Sequence, residues 1–111
     1  MDKSEPDLTL SSTFVSTKGG VITDEVGAIT GELELLTRPT TDGSAVEAMV
    51  RYAGAQDLYT VSGSPVRTAT PLERHDQAEH RALHERILEA LTTPGAVSGG
   101  NEMPVDLYFR E

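Results

Sequence analysis

Three residues in the second half of the chain have side chains that could bind a ligand or transfer a proton. Asp76, His80 and His84 are spaced four residues apart, so in an α-helix each lies about one turn from the next. A carboxylate beside an imidazole can fix its tautomer and raise its pKa, and two histidines four residues apart can hold one metal ion. The spacing is typical of a ligand-binding or acid–base site on one helix face. In that interpretation, Tyr52 and Tyr59 line a pocket between helix and sheet.

The same three side chains are poorly placed to share one metal ion. Asp76 and His84 are separated by roughly 12 Å of helix rise, whereas a metal–nitrogen bond is about 2.1 Å long. The H-E-x-x-H pattern is also absent, because Glu85 follows the second histidine and not the first. We therefore expect no resident metal, no cofactor and no catalytic residue. The interpretation that we favour is that the helix projects past the sheet edge at its first two turns, so that Asp76 and His80 are exposed or joined by a hydrogen bond.

The element that would carry these residues is a helix predicted for residues 71–93. Thr70, Pro71 and Glu73 match a capping box with a first-turn proline, and Pro94 with Gly95 ends the pattern. An apolar stripe runs along one side of this helix, formed by Leu72, Leu83, Ile87, Ala90 and Leu91. We expect this stripe to pack on a sheet.

The first half of the chain alternates apolar and polar residues with the period of two that is typical of half-buried strands. Four strands are predicted, at residues 8–16, 28–37, 46–52 and 58–62, with a short return at 21–23 after Gly19 and Gly20. Successive strands joined by short loops usually pair with their neighbours. The predicted fold is therefore α+β, with a four- to five-stranded, mostly antiparallel sheet and one long helix of the C-terminal half packed on one face.

The length of 111 residues fits a single small domain. We expect a flexible N-terminus at 1–7, antiparallel strands within 8–62, the helix at 71–93 and a flexible, glycine-rich linker at 95–104. The segment 105–109 is expected to be either an edge strand or a docked tail. A third possibility is that Tyr108 and Phe109 are buried against a different protein in a larger assembly.

The formal net charge of −9 argues against nucleic acid as a partner, because phosphate groups would be repelled. A basic protein surface is the better electrostatic match. A homodimer is the other partner we expect, because self-association would add stability to a small core. No apolar run approaches the length needed to cross a membrane, and the acidic first residues do not resemble a secretion signal. We therefore expect no membrane partner and a cytoplasmic location.

Cysteine is absent, and no motif of known chemistry is present. The leading hypothesis is therefore a small acidic, soluble protein that acts as a non-enzymatic interaction or regulatory module. The alternative is a small metal-dependent or acid–base enzyme that uses the helix face of Asp76, His80 and His84.

Overall fold

The structure is a computed structural model and describes residues 9–68 and 77–107. Within these residues the chain forms nine strands and one helix. In chain order these are β1 (Leu10–Val15), β2 (Val21–Thr23), β3 (Gly27–Ile29), β4 (Glu32–Pro39), β5 (Ala45–Tyr52), β6 (Tyr59–Thr60), β7 (Val66–Arg67), α1 (Gln77–Thr92), β8 (Val97–Ser98) and β9 (Asn101–Glu102).

The main sheet is built from the long strands of the first half of the chain. Strands β1, β4, β5 and β6 are neighbours in that order, and β7 pairs with one end of β5. All of these pairings are antiparallel. Alternate residues on the face toward α1, among them Leu33, Leu35 and Val50, are fully buried, as the period of two requires. The predicted α+β fold, with a mostly antiparallel sheet and one helix in the C-terminal half, is confirmed.

The single strand predicted for residues 28–37 is wrong, because the structure divides it into β3 and β4. Gly31 lies between them with φ of 115°, a conformation that favours glycine and interrupts an extended strand. Before this break, Ile29 pairs with Val21 in the β2–β3 hairpin. After it, Glu32 lies opposite Val15 in the main sheet. The alternating apolar residues thus belong to two strands that share one core.

Backbone bridges join the β2–β3 hairpin to two distant parts of the chain. Thr23 forms an antiparallel bridge with Val61, and Val21 forms a parallel bridge with Val105. Beyond Val105, the amide of Leu107 donates to the carbonyl of Ser62 at 2.8 Å, and the Leu107 side chain is buried. The described part of the 105–109 segment therefore lies against the core, while residues 108 and 109 are outside the described residues.

Helix α1 packs against β1, β4 and β5. Ile87 and Leu91 of the predicted apolar stripe are fully buried, and Leu83 and Ala90 pack against the same core. Near the helix end, the Thr92 hydroxyl donates to the carbonyl of Leu88, which is the i to i−4 contact that threonine side chains make within helices. The predicted helix start at 71–76, including the cap at Thr70, lies outside the described residues. No helix in the described ranges is long and apolar enough to cross a membrane.

The glycine-rich stretch predicted as a linker at 95–104 contains the β8–β9 hairpin. Val97 pairs with Glu102 across it, and the carboxylate of Glu102 accepts a hydrogen bond from the Gly19 amide at 2.9 Å. The hairpin is thereby tied to the turn after β1. The flexibility of the stretch stays a prediction.

Candidate functional site

Two of the three residues singled out for their chemistry lie at the centre of the interface between helix and sheet. His80 and His84 are on successive turns of α1 and point at the sheet, with 5% and 1% of their surface exposed. The favoured expectation that the helix projects past the sheet edge and leaves His80 exposed is therefore wrong, because the helix covers the sheet at this turn. Asp76 lies outside the described residues.

Both imidazoles bind the same hydroxyl group. Thr37 Oγ1 lies 2.6 Å from His84 Nδ1 and 3.0 Å from His80 Nε2. On the other side of the His84 ring, Nε2 lies 2.8 Å from Ser12 Oγ. The two histidines of α1 are thus connected to β1 through Ser12 and to β4 through Thr37, and we call these four residues the histidine network.

When both imidazole rings are neutral, the histidine network has one hydrogen to donate for each of its three contacts. A hydroxyl has one hydrogen to donate and can also accept, and a neutral imidazole has one donor and one acceptor nitrogen. In one arrangement His84 Nδ1 donates to Thr37, Thr37 donates to His80 Nε2, and Ser12 donates to His84 Nε2. The reverse arrangement of all three bonds is equally complete. Every ring nitrogen that faces a hydroxyl therefore has a partner, which is what burial of polar groups requires.

The electrostatic surroundings favour the neutral rings. Burial is the largest effect on the pKa of His80 and lowers it, and positive charge on His84 would lower it further, against an opposing effect of a hydrogen bond to the Thr37 backbone. Burial also lowers the pKa of His84, against an opposing effect of the nearby Glu85 carboxylate. Arg81 lowers the pKa of both rings. The neutral form is thus favoured over the imidazolium form at both positions.

The histidine network contains one contact with the geometry of a catalytic pair. The distance between Ser12 Oγ and His84 Nε2 is that of a hydroxyl nucleophile and its general base. The group on the far side of the imidazole is the Thr37 hydroxyl, whereas a carboxylate there would stabilise a developing imidazolium. Among the described residues, no group of three or more histidine, aspartate or glutamate side chains is placed to hold a metal ion.

The two tyrosines predicted to line a pocket lie elsewhere in the sheet. Tyr52 is at the end of β5 opposite Leu33 and is 42% exposed. It is four residues along β5 from Ala48, the partner of Thr37, which corresponds to roughly 13 Å of strand. Tyr59 pairs with Val50 and packs against the core. The structure therefore brings His80 and His84 together but does not add either tyrosine to their hydrogen bonds.

A groove opens beside the histidine network, between α1 and β1. Its volume is about 410 Å³, and its described lining consists of Phe14, Glu85, Arg86, Leu88, Glu89 and Thr92. The sheet contributes only Phe14 of β1 to this lining, so the groove follows the outer side of the sheet. We call it the β1 groove. A second groove of about 500 Å³ lies between the end of α1 and residues 104–106.

Strand β1 forms one edge of the main sheet. Its only strand partner among the described residues is β4, and the Ser16 amide, which donates to the Gly31 carbonyl, marks the side of β1 that faces β4. Because backbone groups alternate in direction along a strand, those of Ser11, Thr13 and Val15 point away from the sheet. These three residues are exposed. The structure thus has a row of outward main-chain donors and acceptors immediately beside the β1 groove.

Edge strands of this kind are normally protected by lysine, proline, a bulge or a covering segment. Strand β1 has the sequence LSSTFV, which contains no charged residue and no proline. Its register with β4 is regular over all six residues, without a bulge. Val15, at the end of the strand, has 72% of its surface exposed. The β1 edge therefore has no protecting lysine or proline. The absence of charge in β1 contrasts with the rest of the chain, which is rich in acidic residues.

Ser12, Thr37 and the β1 edge are parts of the site in the structure that match no sequence motif. A signal for the first two was present, because Thr37 continues the buried alternation of Leu33 and Leu35, and Ser12 lies between Leu10 and Phe14 in the same way.

No family model, no curated protein and no solved structure matches this chain.

Proposed function

We propose that this protein is a non-enzymatic interaction module that binds another polypeptide by adding a strand to β1. The supporting observation is the row of outward backbone groups at Ser11, Thr13 and Val15, on an edge strand without charge or proline. An added strand satisfies such groups through main-chain hydrogen bonds, and neighbouring pockets select its alternate side chains. The β1 groove supplies such a pocket beside the edge.

The test uses the direction of the Thr13 amide. Thr13→Pro removes this outward donor but leaves the bonds to β4, which are made by the neighbouring residues, so the edge position tolerates proline. Thr13→Ala is the matched control, because it removes the same side chain and keeps the amide. A displayed library of random peptides is selected on the wild-type protein, and the selected peptides are measured against both variants.

We expect selected peptides to bind the wild-type protein and Thr13→Ala with similar affinity. Binding to Thr13→Pro should be at least about tenfold weaker, since one lost hydrogen bond of about 1.4 kcal/mol corresponds to a factor of ten. Circular dichroism and thermal unfolding of the proline variant establish that the sheet is retained. Selection of no peptide, or equal binding by Thr13→Pro, contradicts the proposal.

A second candidate is a small acid–base enzyme, which one observation favours: the 2.8 Å contact between Ser12 Oγ and His84 Nε2. An activated serine reacts covalently with a fluorophosphonate probe. Intact mass spectrometry of the wild-type protein, with Ser12→Ala as control, tests this candidate. Labelling confined to Ser12 would support it, whereas an unlabelled wild-type protein would rule out a reactive serine. The near-complete burial of His84 makes the first proposal the stronger one.

A further inference from the structure

The β1 groove has an apolar base and an acidic rim. Phe14 is 8% exposed, and Leu88 is half-buried and packs against the same core. Glu85 and Glu89 lie one turn apart on α1, both exposed, with Arg86 as the only cation of the described lining. Within the described residues, neither glutamate forms an ion pair. The rim therefore carries two carboxylates available to a bound cation.

The length of the groove sets how many side chains of an added strand can enter it. From Glu85 to Thr92 the helix rises about 10 Å. Side chains on the same face of a strand are about 6.6 Å apart, so two successive helix-facing side chains of an added strand fit within this distance. One of them can cover Phe14 and Leu88, and the other can reach the carboxylates of the rim.

The electrostatics distinguish a foreign segment from a second copy of this chain. The net charge of −9 disfavours close approach of two copies. In addition, β1 itself has no cationic side chain to offer to Glu85 or Glu89 if it paired with its own copy. A segment that carries lysine or arginine can pair with the carboxylates of the rim. Its positive charge is also attracted by the net negative charge of the protein.

On the basis of the proposed function, we infer that the partner of β1 is an extended segment of another protein in which an apolar and a basic side chain occupy successive helix-facing positions. The apolar side chain contacts Phe14 and Leu88 at the base of the β1 groove. The basic side chain pairs with Glu85 and Glu89. The intervening residues face away from the helix, next to Ser11 and Thr13, and polar residues suit these positions.

The experiment uses two synthetic peptides of about six to eight residues, the usual length of a strand. Both contain threonine at every other position and valine at one helix-facing position. At the next helix-facing position, one peptide has lysine and the other has glutamate. Affinities are measured by fluorescence anisotropy against the wild-type protein, Thr13→Pro and two charge variants. Glu89→Gln removes a charge at the rim, and Asp57→Asn removes one at an exposed site outside the described groove lining.

We expect the lysine peptide to bind at least tenfold more tightly than the glutamate peptide and to weaken as salt is added. Glu89→Gln should weaken its binding about two- to fivefold, the usual effect of one exposed ion pair, while Asp57→Asn should have a smaller effect. Thr13→Pro should weaken the binding of both peptides at least about tenfold. This pattern supports both the inference and the proposed function.

The remaining outcomes distinguish the inferred basic partner from the proposed strand addition to β1. If the lysine and glutamate peptides bind equally and Thr13→Pro weakens both at least about tenfold, the inferred basic partner is overturned but strand addition is retained. Absence of peptide binding together with wild-type dimers in sedimentation, which Thr13→Pro converts to monomers, identifies a second copy as the occupant and also overturns the inference. Binding that is insensitive to Thr13→Pro contradicts strand addition itself. Absence of both peptide binding and self-association contradicts both statements.

Discussion

Replacement of Thr37 by valine should destabilise the protein through the two histidines that its hydroxyl binds. The change keeps the β-branched shape of the side chain, which is 1% exposed, and exchanges one hydroxyl for a methyl group. His84 Nδ1 and His80 Nε2 then lose their partner at 2.6 and 3.0 Å. Both rings are buried, so solvent cannot readily replace the lost contacts.

The magnitude follows from the number of groups left without a partner. A buried polar group that loses its hydrogen bond costs about 1–3 kcal/mol, so two ring nitrogens cost about 2–6 kcal/mol. Burial of the added methyl group offsets about 1 kcal/mol. We expect the free energy of unfolding to fall by about 3 kcal/mol, which is a large fraction of the 5–15 kcal/mol typical of folded proteins.

Urea denaturation near pH 7.5, followed by circular dichroism, measures this difference. Thr13→Val is the matched control, because the same change at an exposed position of the same sheet should alter stability by no more than about 0.5 kcal/mol. Thr37→Ser provides the second comparison, since it keeps the hydroxyl and loses only a methyl group, at a cost of about 1 kcal/mol. If Thr37→Val is as stable as the wild type, or more stable than Thr37→Ser, the hydroxyl does not support the histidines as described.

Further predictions concern pH and packing. Because the pKa values of buried His80 and His84 lie below the usual 6.5, the unfolded state binds more protons near and below that pH. Urea denaturation should show full stability above about pH 7.5 and a progressive loss of stability as the pH falls below about 6.5, and His84→Gln should reduce this loss. Hydrogen bonds from Ser44 and Thr40 lower the pKa of Asp42 to about 2, so its carboxyl resonance should titrate near that value in an NMR experiment and at higher pH in Ser44→Ala. An added Cβ at Gly19 would collide with backbone atoms of residues 102 and 103, so Gly19→Ala should lower the thermal unfolding temperature, and an unchanged temperature would show that the C-terminal hairpin can move aside.

The architecture was predictable where a simple period governs burial. The alternation through Leu33, Leu35 and Val50 identified the central strands, and the stripe through Ile87 and Leu91 identified the helix face. Both patterns depend on a single element facing a single core. The division between β3 and β4 was not predictable in the same way, because Gly31 preserves the alternation while its backbone conformation ends the strand.

The site was harder to predict than the fold because its parts are distant in sequence. Ser12 and His84 are 72 residues apart, and their contact depends on how the helix is placed over β1, which no local pattern specifies. The sequence marks the histidines as chemically capable, but no local spacing points to Ser12 or Thr37 as their hydrogen-bond partners. A buried hydroxyl in an apolar stripe, as at Thr37, is the signal that links such a residue to a polar group on the facing element.

The histidine network and the open edge are connected through β1. Within the described part of the chain, β1 pairs on one side only. A six-residue strand of this kind has half the main-chain bonds of a central strand, and without other contacts it would separate easily from the sheet. Ser12 is bound to His84 and Phe14 is buried beneath α1, so the inward residues hold β1 against the helix. The outward residues Ser11 and Thr13 can therefore remain unpaired without loss of the strand. Buried polar contacts in the core are thus a physical reason why β1 can keep its place in the sheet while its outer side has no strand partner among the described residues.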